Sequence, residues 1–486
     1  MKLRLLRIIL ALLFFSLLTL YFLDNTGWLP DHLFILAKFQ FVPALLSDMF
    51  GIVVFLVVLT LFFGRVYCSI ICPLGTSMDS ITWIRQRFKP RMKVHFSKEK
   101  RALRFSVLAV VIITYVCGIT FVLSVLDPYS AFGRIVTHVF RPVYLPGKPI
   151  ILYSLSSLLI AGATLLVIGV LATRHGRIWC NTFCPVGTVL GYLSKLSLFK
   201  IRIDRETCTS CGRCERVCKA SCIDNKNKQM DDTRCVACFD CLETCKFDSI
   251  RYGLRRKKSV ATVPVNASRR KVVRAETPVN ESRRRFMGVV AVTATAAASL
   301  PALSLAQQLT APAGSARYKK KNPISPPGSK SAEHLLNHCT ACHLCVAKCP
   351  YNVLKPSLFE YGVGGIMQPM MNFSHGYCAF DCTICSGVCP NEALVSLTVE
   401  KKHRLHVGHV VFIKNNCVVV TNGTYCGACS EVCPTQAIQM VPYRDSLTIP
   451  SVNTAICIGC GGCEYVCPAV PFKAMQVEGN LIHTKR

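Results

Sequence analysis

Acidic residues are scarce in this chain. It has 26 Asp and Glu against 57 Lys and Arg, a formal charge of +31 over 486 residues. So basic a balance suits nucleic acid, but no nucleic-acid motif accompanies it, and nucleic acid is excluded as a partner. The basic residues instead crowd beside apolar runs, the pattern of cytoplasmic loops next to a membrane. Also missing is any constellation for acid–base or nucleophilic catalysis, so no catalytic residue is assigned. Lys and Arg are themselves sparse in two places, after the first and the third apolar run.

Apolar runs are what the chain has in quantity. Residues 5–23, 42–63, 103–126 and 150–172 are each long enough to span a bilayer. Lys2, Arg4 and Arg7 precede the first. Arg65, Arg85, Arg87, Lys89, Arg91, Lys93, Lys98, Lys100 and Arg101 follow the second. This bias puts the N-terminus, the middle loop and the stretch after the fourth run in the cytoplasm. The runs carry a repeat, since GRVYCSIICPLGT (64–76) matches GRIWCNTFCPVGT (176–188). Two like-oriented helix hairpins imply a pseudo-twofold axis along the membrane normal, which would bring both motifs together at the cytoplasmic face. Pro73 and Pro185 suit the first turn of a following helix. Cys68, Cys72, Cys180 and Cys184 can then ligate one cluster or zinc, or merely order the helix starts. Arg65, Arg177, Tyr67 and Trp179 are quinone-site candidates by position alone, and snorkelling is the simpler role for the arginines. Cys117, inside the third run, reads as a small core residue. Ala161-Gly162-Ala163-Thr164, inside the fourth, reads as helix packing rather than flavin attachment.

Of the 30 cysteines, 24 fall in runs of iron–sulfur type rather than in a disulfide scaffold. Cys208, Cys211, Cys214 and Cys218 form one run, and Cys235, Cys238, Cys241 and Cys245 another. In two-cluster ferredoxins the fourth cysteine of each run serves the other cluster. Cys245 therefore joins the first three thiols, and Cys218 joins Cys235, Cys238 and Cys241. Lys219 and Lys246 stand where proline usually follows, and Cys222 is left over. Four more runs each end in Cys-Pro: Cys339, Cys342, Cys345, Cys349; Cys378, Cys382, Cys385, Cys389; Cys417, Cys426, Cys429, Cys433; and Cys457, Cys460, Cys463, Cys467. Regularity of spacing suggests pairing the first with the fourth and the second with the third. Residues 410–413 and 417–421 read as strands, and His403, His406 and His409 read as solvent-facing rather than as a metal site. Six [4Fe–4S] clusters result, with a possible extra metal centre at the repeated CxxxCP motifs.

Between the modules lies an export-like segment at 282–306. Arg283, Arg284 and Arg285 precede an apolar alanine- and valine-rich run that ends in Ser304-Leu305-Ala306. Such a segment is a twin-arginine-like signal, here past the middle of the chain. The organisation is therefore a membrane domain at 1–199, a two-cluster module at 200–252, a basic linker at 253–281, the signal or fifth span at 282–306, a spacer at 307–330 and a four-cluster module at 331–486. The fold class is a membrane α-helical domain, four transmembrane helices in two repeated hairpins plus a fifth Tat-like span, with α+β ferredoxin-like modules.

The four apolar runs, the doubled CxxxCP motif and the two-cluster module resemble NapH. The Tat-like segment and the four-cluster module, including the C-x8-C-x2-C-x3-C-P run at 417–434, resemble NapG. The resemblance, as a NapH–NapG-like fusion, implies a multi-pass protein of a bacterial inner membrane. It implies quinol as substrate, membrane lipid and the quinol pool as surroundings, and a periplasmic reductase of nitrate-reductase type, or its cytochrome acceptor, as partner. The two-cluster module would be cytoplasmic and the four-cluster module periplasmic. Related proteins imply another role, an accessory electron donor for maturation of a periplasmic redox enzyme, as with MauN/MauM or NosR, and a cluster scaffold without turnover is a third reading.

Overall fold

The computed structural model describes residues 2–24, 29–88, 96–144, 155–254 and 318–485. The export-like segment, the fifth span and nearly all of the linker lie outside the described residues. Helix α1 (Lys2–Leu23) has neither glycine nor proline to interrupt it. Its 22 residues extend about 33 Å. Ala11, Leu18, Tyr21 and Phe22 face inward, while Leu5, Ile9, Leu12 and Leu13 are exposed.

The second apolar run is not continuous. It divides into α2 (Phe41–Leu46) and α3 (Phe50–Phe63) at a turn where Asp48 adopts a φ of 53°. Helix α4 (Pro73–Phe88) then begins at the proline of the first CxxxCP motif. The third run also breaks, into α5 (Arg101–Val116) and α6 (Phe121–Leu126). Gly118, at φ +76°, makes the break. Ile119 N donates to Thr114 O (2.8 Å) and Gly118 N to Tyr115 O (3.0 Å), a Schellman ending that needs the left-handed residue. Cys117, expected in a core, is the exposed cap of α5. Asp127 caps α7 (Pro128–Ile135), accepting from Ser130 N at 2.8 Å. A π-helical turn, Val136–Phe140, follows. Helix α8 (Leu155–His175) precedes the second motif, whose proline opens α9 (Pro185–Leu193). Among the described residues, two helical stretches are long and apolar enough to cross a membrane, Leu3–Leu23 and Ser157–His175. The second and third of the four expected spans are thus interrupted, because local backbone turns at Asp48 and Gly118 override apolar composition.

Both cysteine modules are built from short helices and two-stranded antiparallel sheets. In the first, β1 (Phe199–Ile203) pairs with the last strand, β4 (Ile250–Leu254), and β2 (Ile223–Asp224) with β3 (Gln229–Met230). Helices α10 (Arg213–Val217) and α11 (Asp240–Thr244) pack together between them. In the second module, α12 (Ala332–His338) leads to α13 (Leu344–Lys348), which packs on α14 (Ile384–Gly387). There β5 (Leu354–Pro356) pairs with β6 (Pro369–Met371). The long strand β7 (Leu405–Phe412) includes most of the expected 410–413 strand. The expected strand at 417–421 is instead the helix α15 (Val418–Asn422), because Cys417 N-terminates a turn whose carbonyl takes Thr421 N at 2.9 Å. Helix α16 (Ala428–Glu431), strands β8 (Ile438–Pro442) and β9 (Thr448–Val452), helix α17 (Gly462–Val466) and β10 (Met475–Lys485) complete it. Strand β10 pairs with β7, and β8 with β9.

The modules sit at opposite ends of α1. Arg4, in its first turn, binds Asp240 (2.8 Å) and Glu243 (2.5 Å) of the first module. Asp24, just past its last turn, accepts from Lys348 Nζ of the second at 2.9 Å.

Candidate iron–sulfur sites

The repeated motifs meet, and each arginine serves the other copy. Arg65 Nη2 donates to Cys180 O (3.3 Å), while Arg177 Nη1 donates to Cys68 O (2.6 Å). Both guanidinium groups are fully buried, which replaces the snorkelling role with a cross-repeat clamp. The glycines of CPLGT and CPVGT permit the approach. A Cβ on Gly75 would lie 2.3 Å from Cys68 O, and one on Gly187 would lie 2.1 Å from Cys180 O. Arg177 Nε also binds Asp79 (2.7 Å), a buried carboxylate that Arg7 reaches as well. Tyr67 is tied to Gln40 Oε1 at 3.1 Å.

Cys68, Cys72, Cys180 and Cys184 are all buried in this contact and act on one another electrostatically. Burial raises the Cys180 thiol to about 11, despite Arg177 and Arg65. Burial likewise raises Cys72 and Cys184 well above the usual thiol value, so ligation by a cation would be needed to hold them as thiolates. Because the four share one environment, Cys68→Ser and Cys180→Ser are expected to be non-additive. The double variant should lose no more metal-centre absorption or melting temperature than either single variant. Additive losses would mean two separate features.

The first module rests directly on the repeat. Arg177 N donates to Lys219 O (2.8 Å), Asn181 to Ala220 O (3.2 Å) and Arg65 to Thr233 O (3.1 Å). Among its thiols, Cys218 comes within electrostatic reach of Cys238 and Cys241, and Cys208 and Cys211 within reach of Cys214. The leftover Cys222 is buried, with its sulfur 3.5 Å from that of Cys218.

In the second module, four thiols line each of four cavities. Cys339, Cys342, Cys345 and Cys389 surround one, and Cys349, Cys378, Cys382 and Cys385 another. Cys433, Cys457, Cys460 and Cys463 line a third, and Cys417, Cys426, Cys429 and Cys467 a fourth. Four thiols around a hollow suit a [4Fe–4S] cluster. Among the described residues, no group of three or more His, Cys, Asp or Glu closes to the spacing of a single metal ion. The fourth cysteine is exchanged between consecutive runs, first with second and third with fourth. The expected pairing of first with fourth and second with third is therefore wrong. Helix α13 packs on α14, and α16 on α17. Consecutive runs close shorter loops than distant ones, and the irregular x3 and x8 openings displace only a first ligand.

Several groups that tune such sites were not legible in the sequence. Lys402 Nζ donates to Cys378 Sγ (3.3 Å), a buried cation beside a ligand sulfur. Backbone N–H groups of Ala341, Leu394 and Ala437 donate to the sulfurs of Cys339 (3.4 Å), Cys389 (3.4 Å) and Cys433 (3.2 Å). Hydrogen bonds to cluster sulfurs raise reduction potentials. His403, His406 and His409 are half-buried rather than solvent-facing. His403 stacks on Phe380 at 3.7 Å, His406 meets Cys457 O at 2.8 Å and His409 meets Asn480 Oδ1 at 3.0 Å.

The second module docks on the segment around α7. Arg134 Nη1 donates to Ala341 O (3.3 Å), and Thr120 Oγ1 donates to Leu336 O (2.9 Å). His138, in the π-helical turn, meets His343 at 2.6 Å, and His343 stands between the ligands Cys342 and Cys345. A Cβ on Gly133 would lie 2.4 Å from Cys342 O, so α7 runs directly against the first cluster loop. The only sequence signal for these residues was their polarity near apolar runs.

Comparison with known proteins agrees with this chemistry. Residues 48–91 and 154–204 match a 4Fe-4S binding domain, and 424–470 match a 4Fe-4S dicluster domain. The first match falls on the two halves of the repeat. The chain is 31% identical over 162 residues to the ferredoxin-type protein NapF of Escherichia coli K12, covering 33% of this chain and 90% of that protein. It is 26% identical to the ferredoxin-type protein NapH of the same organism, over 41% of this chain and 65% of NapH. It is 30% identical to the methylamine utilization ferredoxin-type protein MauN of Methylobacillus flagellatus, over 32% of this chain and 49% of MauN. No solved structure matches the chain.

Proposed function

The chain belongs to the ferredoxin-type iron–sulfur electron-transfer proteins of the Nap/Mau family, and from that premise we propose that it is a NapH–NapG-like fusion that oxidises membrane quinol. The observation that carries this reading is the placing of cysteine modules against both ends of a helix of membrane-spanning length. The helical domain presents exposed apolar side chains on several helices, including Ile9 and Leu12 of α1, Val54 and Phe55 of α3, Ile112 and Ile113 of α5, and Leu159 and Leu166 of α8. Soluble monomers rarely leave so extended an apolar surface bare, and lipid is its natural cover. The broken helices α2–α3 and α5–α6 would complete four crossings, since irregular backbone is tolerated in a bilayer where protein buries it.

Each quinol gives up two electrons and two protons. Six [4Fe–4S] clusters would take the electrons singly, held by the 24 thiols of the six runs, with the protons going to water. The cysteine loops would hold the carriers, and the backbone donors and Lys402 would tune them. The two-cluster module would lie in the cytoplasm and the four-cluster module in the periplasm, where it would meet a reductase or its cytochrome. MauN supports a second reading, an accessory electron donor in maturation of a periplasmic redox enzyme.

Purified, reconstituted protein is expected to be reduced by naphthoquinol under anaerobic conditions, with bleaching of the visible cluster absorption. Protease added to intact spheroplasts should digest residues 318–485 and spare 200–252. Clusters that dithionite reduces but quinol does not would favour the maturation or scaffold reading. Protection of 318–485 would rule out direct delivery to a periplasmic enzyme.

A further inference from the structure

The loop between β5 and β6 of the second module, residues 357–368, has a closed base and an apolar tip. Ser357 N donates to Gln368 O (2.8 Å), Met367 N to Ser357 O (2.9 Å) and Ser357 Oγ to Gly365 O (2.6 Å). Gly362, at φ +75°, turns the chain, and its N–H donates to Phe359 O (2.8 Å). The loop is thus shaped by its own hydrogen bonds. Even so, Phe359 is 70% exposed and Val363 65%, and Leu358 is exposed beside them. Glu360 is the one charged side chain in the loop. It accepts from Leu358 N (2.6 Å) and Phe359 N (3.0 Å), which folds its carboxylate back on the loop's own backbone.

Position in the fold identifies what covers the tip. Gly364 lies against the break that ends α5. A Cβ on Gly364 would be 3.4 Å from Gly118 O and 3.9 Å from Ile119 Cα. The turn Val363–Gly365 packs on α6, and Gln368 Nε2 donates to Thr120 Oγ1 (3.1 Å). Both α1 and α5 start at the first module, α1 through Arg4 and α5 through Arg104 Nη1, which donates to Thr233 Oγ1 (3.3 Å). From there α1 takes about 33 Å to reach the second module, whereas the 16 residues of α5 rise only about 24 Å. That is less than the roughly 30 Å of a bilayer core. The loop therefore meets α5 below the level at which α1 ends, within the far leaflet. Val116 is 78% exposed there, and Ile112 and Ile113 are exposed one turn earlier. The apolar tip continues the bare apolar surface of the helical domain at the same depth.

We propose that the loop 357–368 is a lipid contact, in which Phe359 and Val363 enter the acyl chains of the far leaflet while Glu360 stays among the headgroups. This inference rests on the helical domain lying in a membrane. An apolar face at a bilayer surface sinks about 5–10 Å into the boundary between headgroups and acyl chains. The difference in reach between α1 and α5, roughly 9 Å, is of that size. The four-cluster module is then fixed to the bilayer by its own loop as well as by its docking on α7.

The test uses the full, cluster-loaded chain in nanodiscs of phosphatidylcholine, with or without bromine on the acyl chains. Comparing the two lipids cancels quenching by the clusters, and the unsubstituted chain supplies the signal of the native tryptophans. Leu159→Trp, at an exposed position of α8, reports whether the helical domain lies in lipid. Phe359→Trp reports on the loop, and Val363→Trp decides the question if Phe359→Trp does not fold. The added emission of Phe359→Trp is expected to be lost in brominated lipid as fully as that of Leu159→Trp, and to resist aqueous iodide. Bromine quenching of Leu159→Trp alone, with Phe359→Trp sensitive to iodide, would put the loop in water. Sensitivity of Phe359→Trp to neither quencher would mean that protein covers it. Either result overturns the lipid contact and leaves the helical domain in the membrane. Bromine quenching of neither probe would overturn the membrane reading and this contact with it.

Discussion

Anaerobically reconstituted protein is expected to hold about 24 iron and about 24 acid-labile sulfide per chain, from about four of each in every four-thiolate cluster. The exchange of fourth cysteines gives this count a sharper form. Cys389→Ser should abolish the cluster of Cys339, Cys342 and Cys345, and leave the cluster of its own run, at Cys378, Cys382 and Cys385, in place. Cys467→Ser should likewise empty the site of Cys417, Cys426 and Cys429. EPR of the reduced variants, with iron analysis, distinguishes the sites. Loss of the cluster in the substituted run itself would refute the pairing. Saturation near two clusters would remove the exported electron wire, and zinc in place of iron would remove the redox reading.

Asp79→Ala is expected to destabilise the helical domain by about 3–5 kcal/mol, the range for stripping one partner from a buried ion pair. Asp79 binds Arg177 Nε at 2.7 Å, contacts Arg7, and has Lys219 Nζ at 3.6 Å. Arg177 is wholly buried and Arg7 nearly so, so the variant leaves cations without a counter-charge and without water. Lys219 belongs to the first module and also reaches Asp240 at 3.1 Å, so the docking of that module should loosen as well. Burial by itself would raise the Asp79 carboxyl. Arg177, Lys219 and Arg7 outweigh burial and hold it well below the usual carboxylate range. A depressed pKa stabilises the fold above the unfolded value, and the effect is lost as pH falls through the folded value. The Asp79 contribution should therefore persist through mildly acidic pH and fail only below the ordinary aspartate range. Thermal melting of the detergent-solubilised protein against pH checks both points. An unchanged melting temperature for Asp79→Ala would show that the cluster of charges is not what joins the module to the helices.

The cysteine runs were legible because their information is local. Spacings of two and three residues set a turn and a short helix, and that backbone presents thiols wherever the run is placed. Prolines after Cys72 and Cys184 begin helices α4 and α9 for a reason equally local, a fixed φ and a missing donor. Gly118 was legible too, but the length of the apolar run concealed it. Composition measures affinity for lipid, whereas one left-handed residue is enough to end a helix. What tertiary structure alone decided was partnership. Which run supplies the fourth cysteine depends on which short helices pack, and regular spacing carries no information about that. Arg65 and Arg177 read as snorkelling arginines in the chain, yet across the pseudo-twofold contact each donates to the other repeat's cysteine carbonyl. His138 and His343 stand 205 positions apart, and no period or motif relates them. Only the docking of α7 against the first cluster loop brings their rings together.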